Sequence, residues 1–313
     1  MTSLSRAART ILNEGTLCYL GAPSAVGPHV TPVVFVLDGG RVWGTTGRGT
    51  TKVKLWRRDA IAGGLVGHGD RWLSFRGPVT LYDALDPSTW GASLRRGPRV
   101  ASASARFSLK NARFFAGYAR DVTRVPLAWT PPARVIFSID VAAGAVLADD
   151  LVVERWGSWA DDAAGLRAFR PAAARPHAES LPDDARDLLR EPGEGTIGIA
   201  SDLGPVILPA TWRGTSDTYY ARVPASVLAM AGPQRDTPVS LVVDRASAWR
   251  AANMRGVLLR GPSSVYLADE MTSGRGELEK HAGDLASGDA VIRIRPSSAV
   301  WWSGWASGTV RSP

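Results

Sequence analysis

The same landmarks occur twice in this chain, in the same order and about 177 residues apart. They are turn and strand residues, and the few length changes between the two sets fall at turns, as expected for two copies of one fold. The sequence therefore predicts a tandem repeat. The matched positions are Gly27-Pro28 with Gly204-Pro205, Pro32 with Pro209, Arg58-Asp59 with Arg235-Asp236, Trp72 with Trp249 and, after short length changes, Glu14-Gly15-Thr16 with Glu194-Gly195-Thr196 and Arg76-Gly77-Pro78 with Arg260-Gly261-Pro262.

Length and composition indicate a protein with two cores. The chain has 313 residues, of which 45% are hydrophobic, and this is enough for two domains of ordinary size. It contains no run of about 18 apolar residues. The N-terminal residues, Met1 to Arg6, lead into a polar helical pattern rather than a secretory signal. We therefore expect a cytoplasmic protein without a membrane partner.

Charge and the rarer residue types argue against several classes of function. The net charge of +8 comes mainly from arginines spread along the chain, without a lysine-rich block or an aromatic ribonucleoprotein motif, so nucleic acid is not an expected partner. Cys18 lies in an apolar alternating stretch, which indicates an inert buried thiol. His29, His68, His177 and His281 are scattered, and we predict no metal site.

Hydrophobic periodicity predicts a mainly β fold with short helices. An amphipathic helix over residues 4–13 comes first, and a second short helix is expected over residues 52–58, between the third and fourth strands. Residues 88–132 interrupt the strand pattern, and we expect a basic Gly/Pro loop there, followed by a longer helix. The strands predicted in the first half are Leu17–Leu20, Val30–Leu37, Arg41–Thr46, Ile61–Val66, Trp72–Tyr82 and Arg134–Val141.

The second half repeats this order, beginning with a helix near Leu181. Because a β unit of this size has to hide its strand edges, we expect each copy to form a small barrel. The predicted domains are 1–156 and 181–313, joined by a linker over 157–180 that is rich in Ala, Asp, Arg and Pro. The strands predicted in the second half are Gly195–Ala200, Val206–Trp212, Thr218–Arg222, Pro238–Val243, Gly256–Tyr266, Ala290–Arg295 and Val300–Trp305.

Six short segments follow one another in a distinctive order after the first helix. They are Gly15 to Leu20, Gly27 to Phe35, Val42 to Thr46, Thr50 to Lys52, Arg57 to Asp59 and Arg76 to Leu81. This order resembles the flavin-binding split β-barrel of the pyridoxamine 5'-phosphate oxidase-like superfamily. The chain departs from the usual pattern at Leu55-Trp56, where the family often has Asn-Leu, and at Ala60, where it usually has proline.

The resemblance implies that two split barrels pair, normally as a homodimer, and bind a flavin in the clefts between them. Here the duplication would supply both barrels, so that two tandem split β-barrels form an intrachain pseudo-dimer and a single chain can be the functional unit. The family also implies that one strand lies along the flavin ring and that the neighbouring helix start binds its phosphate. The cofactor contacts implied in this way are Pro32, Val33, Val34, Thr45, Thr46, Arg48, Thr50, Thr51 and Lys52.

Thr50, Thr51 and Lys52 also suit a phosphate on physical grounds. Hydroxyl groups followed by a lysine at the start of a helix provide side-chain donors, free backbone N–H groups and a favourable dipole. The same residues are compatible with a simple helix cap and a solvated lysine. Because Leu228 and Ala229 replace the Thr-Lys pair in the second half, we expect an anion site in only one of the two clefts.

Three functions remain compatible with the sequence. The first is an FMN-dependent oxidoreductase acting on a small organic substrate, with the hydride chemistry supplied by the cofactor. The second uses the deazaflavin coenzyme F-420, whose acidic tail would suit Arg95, Arg96 and Arg99. The third is a non-catalytic or haem-binding split-barrel protein. The chain has no Ser/His/Asp arrangement and no Gly-x-Ser-x-Gly motif, and we assign no catalytic residue.

Overall fold

The computed structural model consists of two β-sheets with short helices. It describes residues 4–121, 123–127, 130, 133–160, 181–215, 217–234, 237–245 and 250–311. The helices are α1 (Arg6–Glu14), α2 (Thr51–Arg58), α3 (Trp90–Lys110), α4 (Ala112–Arg120), α5 (Asp183–Leu188), α6 (Ala225–Ala229) and α7 (Arg275–Ala282).

The strands account for most of the regular structure in both halves of the chain. In the first half they are β1 (Leu17–Ala22), β2 (His29–Asp38), β3 (Arg41–Gly47), β4 (Ile61–His68), β5 (Arg71–Tyr82), β6 (Arg134–Asp140), β7 (Ala143–Ala148) and β8 (Leu151–Trp156). In the second half they are β9 (Gly193–Ile199), β10 (Val206–Gly214), β11 (Tyr219–Pro224), β12 (Val239–Arg245), β13 (Arg255–Gly261), β14 (Ser263–Leu267), β15 (Asp289–Ile294), β16 (Ser298–Ser303) and β17 (Ala306–Arg311).

Six antiparallel strands of the first half close into a barrel. Their order is β4-β1-β2-β3-β6-β5, and the ring is completed because β4 also pairs with β5. The connection between β3 and β4 carries α2. The remaining two strands, β7 and β8, extend the sheet from β5. Closure removes the exposed strand edges that an open six-stranded sheet would have.

The second sheet has the same topology with one strand divided. Its order is β14-β15-β11-β10-β9-β12-β13-β16-β17. β13 and β14 follow each other directly, interrupted only at Pro262, and they pair with β12 and β15 in the way that the two ends of β5 pair with β4 and β6. The predicted fold class, two tandem split β-barrels with short helices, is therefore confirmed.

Strand register confirms the repeat residue by residue. Ala22 pairs with His29 in the first half, and Ile199 pairs with Val206 in the second, so both members of the pair are shifted by 177 positions. The same offset relates the first strand to its other neighbour, because Gly21 pairs with Gly63 and Gly198 with Ser240. The two halves are thus copies of one pairing scheme, not merely of one strand order.

The predicted match of Glu14–Thr16 with Glu194–Thr196 is wrong. In the strand register Glu194 is equivalent to Leu17, which gives the same 177-residue offset as the following strand. No length change therefore occurs between the opening helix and the first strand. The short Glu-Gly-Thr sequence recurs by chance at a different position of the fold.

The predicted match of Trp72 with Trp249 is also wrong. Trp72 pairs with Gly67, and the corresponding pair in the second half is Gly256 with Asp244, so Gly256 is the counterpart of Trp72. The connection between β12 and β13 is longer than its equivalent, and Trp249 belongs to this connection outside the described residues.

Residues 88–132 differ from the prediction of a loop followed by a helix. α3 runs through the Gly97-Pro98 pair, because Ala103 and Phe107 on one side of the helix are buried against the outer face of the first barrel. Proline removes one helical hydrogen bond, yet it lies on the exposed side of α3. Packing of the buried side therefore outweighs the local preference for a break.

Two hairpins were not predicted from the sequence. One is β7–β8, whose turn residues Asp149 and Asp150 have φ angles of 48° and 62°. This left-handed conformation is typical of a two-residue hairpin turn, and adjacent aspartates tolerate it better than most residues. The other is β16–β17, where only a strand over residues 300–305 was expected.

The two barrels meet through equivalent residues of both copies. Val30 and Leu65 of the first barrel are completely buried against Ile207 and Val242 of the second. Ile207 is the repeat counterpart of Val30, and Val242 is the repeat counterpart of Leu65. The contact is therefore isologous, like the interface of a symmetric homodimer, although it lies within one chain.

Glycines allow the two sheets to approach closely at this interface. A Cβ atom at Gly21 would lie 2.8 Å from Cδ1 of Ile207, and one at its counterpart Gly198 would lie 2.8 Å from Cγ2 of Val30. A Cβ atom at Gly63 would lie 2.0 Å from the carbonyl oxygen of Pro205. The reciprocal pattern shows that the small residues are needed for barrel pairing.

The predicted linker over 157–180 lies largely outside the described residues, which end at 160 and resume at 181. The boundaries 1–156 and 181–313 remain predictions. Within the described segments, none of the helices combines the length and apolar character needed to cross a membrane.

Replacement of Gly63 by alanine should weaken barrel pairing. The new methyl group would contact the Pro205 carbonyl, and overpacking of this kind costs about 1–3 kcal/mol. Gly193→Ala is a matched control in a strand, because no atom lies within 4 Å of a Cβ built there. We expect urea or thermal unfolding to show a clear loss of stability for Gly63→Ala only. Equal stabilities of the two variants would contradict the proposed role of the close approach.

Candidate functional site

Lys52 is buried inside the first barrel. It belongs to the first turn of α2, which begins at Thr51, one residue before the helix predicted over 52–58. Only 2% of the residue is exposed, and its Nζ donates a hydrogen bond to Oγ1 of Thr31 over 2.8 Å. Thr31 lies on the inward face of β2, so the ammonium group is directed into the barrel and not into solvent.

The surroundings of Lys52 weaken its basicity. Nζ lies 5.9 Å from the centre of the Trp56 ring, and within the described residues no carboxylate pairs with it. Burial lowers the pKa of Lys52 to about 7, with the nearby Cys18 acting weakly in the opposite direction. Burial also raises the pKa of the Cys18 thiol to about 12. Cys18 is therefore a buried, unreactive thiol, in agreement with its apolar sequence environment.

The second barrel lacks this polar pair. At the 177-residue offset Leu208 replaces Thr31 and Ala229 replaces Lys52. Leu208 is completely buried in the apolar core of the second barrel. Removing both partners of a buried hydrogen bond costs far less than removing one. The two halves thus differ in both members of this hydrogen-bonded pair, not in a single residue.

His29 is a buried histidine of β2 whose pKa is lowered by positive charges from both barrels. It is buried, and its pKa is lowered to about 3, first by burial and then by Lys52 and by Arg260 of β13 in the other barrel. Its Nδ1 atom has no hydrogen-bond partner within the described residues. The imidazole of His29 is therefore buried and neutral, with one ring nitrogen unused, and the charges of Lys52 and Arg260 from the two barrels disfavour its protonation.

Within the described residues this combination occurs at one of the two equivalent positions. Val206 replaces His29 in the second barrel, and Arg76 is the counterpart of Arg260. The guanidinium of Arg76 is used differently: it donates to the backbone oxygen of Ser158 and lies 4.6 Å from the centre of the Trp159 ring. Only one of the two equivalent junctions therefore combines a lysine, an arginine and a histidine.

The threonines predicted to bind phosphate are divided between two faces. Side chains alternate along β3, so Thr45 and Thr46 point in opposite directions. Oγ1 of Thr45 accepts a hydrogen bond from Nε of Arg134 over 3.1 Å. Oγ1 of Thr46 lies 3.4 Å from Oγ1 of Thr50, whose hydroxyl also contacts the backbone of Gly47.

The start of α2 carries unused donors. Thr50 is the N-cap residue but its side chain makes no capping hydrogen bond, and Thr50 and Thr51 are both exposed. The first backbone N–H groups of a helix have no partners within the helix. Thr46, Thr50 and Thr51 therefore surround an accessible helix start, whereas Thr45 belongs to a different surface.

Arg48 takes part in an internal ion pair. Its Nε lies 2.9 Å and 3.0 Å from the two carboxylate oxygens of Asp83, which is almost completely buried. Arg57 binds the same carboxylate over 3.0 Å. The positive charge of Arg48 is therefore balanced by the carboxylate of Asp83. Arg48 thus has a different role from the unused donors at the start of α2.

The strand expected along a flavin ring presents both faces to protein. Val34 is buried on the outer side of β2, under α3, and Val33 packs against the barrel core. Pro32 is buried as well. The backbone of this strand is paired with β1 at Pro32 and Val33. The structure thus brings Pro32, Val33 and Lys52 to one region of the first barrel.

His29, Thr31 and Arg260 were not among the predicted site residues. His29 and Thr31 alternate with Val30 and Pro32 in β2, so strand periodicity could have placed them on the inner face. Arg260 is one of the repeat landmarks, but a single sequence contains no signal that it approaches the other barrel. In the described residues no group of three or more His, Cys, Asp and Glu side chains could hold a metal ion, and His177 lies outside them.

Known structures resemble parts of this chain at the level of fold. No protein-family model and no curated protein matches it. A candidate pyridoxamine 5'-phosphate oxidase from Listeria innocua is 16% identical over 44% of this chain and 93% of its own, with a TM-score of 0.28. An FAD-binding protein from Mesorhizobium loti is 16% identical over 46% and 94%, with a TM-score of 0.33. An F420 reductase is 18% identical over 45% and 98%, with a TM-score of 0.30. These likenesses concern fold over part of the chain and say nothing of activity.

The buried lysine should make stability depend on pH. Its pKa of about 7 in the folded protein lies below the ordinary value of 10.5, so between these pH values only the unfolded chain is protonated at this position. The free energy of unfolding should therefore rise with pH, by at most about 1.4 kcal/mol per unit from this group. We expect Lys52→Met to remove this rise in urea unfolding measured between about pH 7 and 9.

The exposed Lys54 on the same helix provides the control for that measurement. Lys54→Met removes the same charge from α2 but should retain the slope of the unmodified protein. Identical slopes for both variants and the unmodified protein would show that Lys52 titrates normally.

Proposed function

We propose that the chain is an FMN-dependent oxidoreductase that binds one cofactor at the junction containing Lys52. The observation that carries this proposal is the buried ammonium group of Lys52 on Thr31, with Arg260 of the other barrel adding positive charge at His29. The equivalent junction has Ala229 and Val206 instead of the lysine and the histidine. One anionic ligand per chain, rather than two, suits this asymmetry.

The residues of the junction fit the chemistry of a flavin phosphate. A phosphate needs several donors and positive charge, and the start of α2 supplies unused backbone N–H groups together with the hydroxyls of Thr46, Thr50 and Thr51. The neutral imidazole of His29 has an unused ring nitrogen. A bound anion would also favour the charged form of Lys52, whose ammonium otherwise has only Thr31 as a partner in the described chain.

A planar ring system would need apolar surface next to the junction. Val30 and Leu65 with Ile207 and Val242 form a dry contact between the barrels beside His29. FMN would supply hydride transfer to or from a small organic substrate. The protein side chains would hold the cofactor, exclude water and stabilise its negative charge. We assign no proton donor.

Identification of a bound ligand tests the proposal directly. Purified protein should show a flavin absorption spectrum or acquire one when FMN is added, and the mass of the released ligand should be that of FMN. A released deazaflavin or haem would replace FMN by another cofactor. Protein that binds none of the three would contradict the proposal.

Lys52→Met should weaken FMN binding at least tenfold. The variant removes a charge-assisted interaction, which typically contributes about 1.5–3 kcal/mol, or more than a factor of ten in Kd. Fluorescence titration with FMN measures this change. Lys54→Met, which removes an exposed charge two residues later, should bind FMN like the unmodified protein. Equal affinities of the two variants would remove Lys52 from the site.

A further inference from the structure

The positive charge of the chain is concentrated in the insertion that carries α3 and α4. Residues 88–132 contain eight Lys and Arg residues but only one acidic residue, Asp121, whereas the whole chain has a net charge of +8. The expectation that the excess is spread along the chain is therefore wrong. The equivalent connection of the second barrel, between β14 and β15, is shorter and carries only α7 among its α-helices. The basic residues are Arg95, Arg96, Arg99, Arg106, Lys110, Arg113, Arg120 and Arg124.

A cavity of about 590 Å³ lies between α3 and β5 on the outside of the first barrel. Its walls contain three guanidinium groups and one hydroxyl, and no carboxylate. Its size is within the usual range for pockets that hold small molecules. The lining residues are Thr80, Ala92, Arg95, Arg96, Pro98 and Arg99.

Arg96 is held in place by the barrel. Its Nη1 donates to Oγ1 of Thr80 over 3.4 Å and to the hydroxyl of Tyr82 over 3.3 Å. Tyr82 is itself buried and stacks on Trp43, with ring centres 5.4 Å apart. The guanidinium of Arg96 therefore forms a fixed inner wall of the cavity.

The second barrel places a guanidinium at the same point by different means. Arg293 of β15 donates to Oγ of Ser264 over 3.3 Å and lies 5.5 Å from the centre of the Tyr266 ring. Ser264 and Tyr266 are the counterparts of Thr80 and Tyr82 in the strand pairing. Arg96 thus has a structural counterpart, whereas Arg95 and Arg99 are additions of the first barrel.

Arg95 and Arg99 carry charge that the protein does not balance. Within the described residues neither of them, nor Arg96, forms an ion pair, while Arg106 on the same helix binds Asp38 over 3.0 Å. Arg95 and Arg99 are four residues apart, a spacing at which like charges destabilise a helix. An anion in the cavity would relieve this repulsion and accept hydrogen bonds from both guanidinium groups.

We propose that the cavity between α3 and β5 binds a small polyanion carrying phosphate or carboxylate groups, with Arg95 and Arg99 as its main contacts. The site goes beyond the proposed cofactor junction. Thr80 points outward from β5, whereas Val79 and Leu81 on the opposite face pack with the barrel core that contains Trp56. A concave pocket of this size favours a small molecule over an extended nucleic acid.

Isothermal titration calorimetry with the full chain tests this site. The probes are inorganic tripolyphosphate and citrate, used at about 0.15 M salt so that unspecific surface attraction is screened. At least one probe should bind, and the double variant Arg95→Ala, Arg99→Ala should reduce its affinity at least tenfold. Comparison of the two probes shows whether phosphate or carboxylate is preferred.

The control is the double variant Arg58→Ala, Arg120→Ala, which removes two exposed charges outside the cavity. It should bind the probe like the unmodified protein, and circular dichroism should show that both double variants are folded. Absence of binding by both probes would overturn the proposal, as would equal weakening in the two double variants. Binding of a single-stranded oligonucleotide without binding of either small probe would assign the basic surface to nucleic acid and overturn it as well. FMN binding is measured separately and is expected to be unaffected by Arg95→Ala, Arg99→Ala.

Discussion

The close reciprocal contact between the two barrels determines the position of everything else in this chain. Val30 has to face the other barrel at this contact, and the alternation of side chains along β2 then directs His29 and Thr31 to the inner side. Lys52 reaches the same inner side from α2. The glycines that let the two sheets approach closely therefore also fix how near Lys52 lies to the second barrel.

Burial decides how Lys52 and His29 behave. An ammonium group surrounded by protein is stabilised less than one in water, so the pKa of Lys52 falls toward neutrality, and the neighbouring imidazole of His29 remains uncharged. The ammonium group of Lys52 has no carboxylate partner among the described residues, so an anion bound beside it would stabilise its charged form. In the second barrel Leu208 and Ala229 avoid the cost of a buried charge with an ordinary apolar core. The fold is therefore compatible with apolar residues at these positions, and the polar residues of the first barrel are those that a ligand would require.

Much of the fold could be predicted from the sequence, because turns and strand periodicity are local signals. The duplicated order, the barrel strands and the short helix α2 were predicted correctly, the start of the helix to within one residue. The direction of side chains could not be derived in the same way. Lys52 was expected at the surface of a cleft, but its side chain points into the barrel and donates to Thr31. Arg48 was expected to contact the cofactor, but it forms an ion pair with Asp83, which is distant in sequence. The effect of the Arg260 charge on the pKa of His29 depends on the packing of the two barrels, which no single-sequence pattern encodes.

Covalent linkage of the barrels frees them from the symmetry of an ordinary homodimer. In a homodimer every substitution appears twice, so a lysine needed in one cleft also has to be tolerated in the other. In this chain each copy can change alone, and only the first carries Lys52 and the basic insertion. Association of the two halves is also independent of protein concentration, because they are tethered. The first barrel can therefore acquire residues for ligand binding, while the second barrel keeps the apolar residues that hold the pair together.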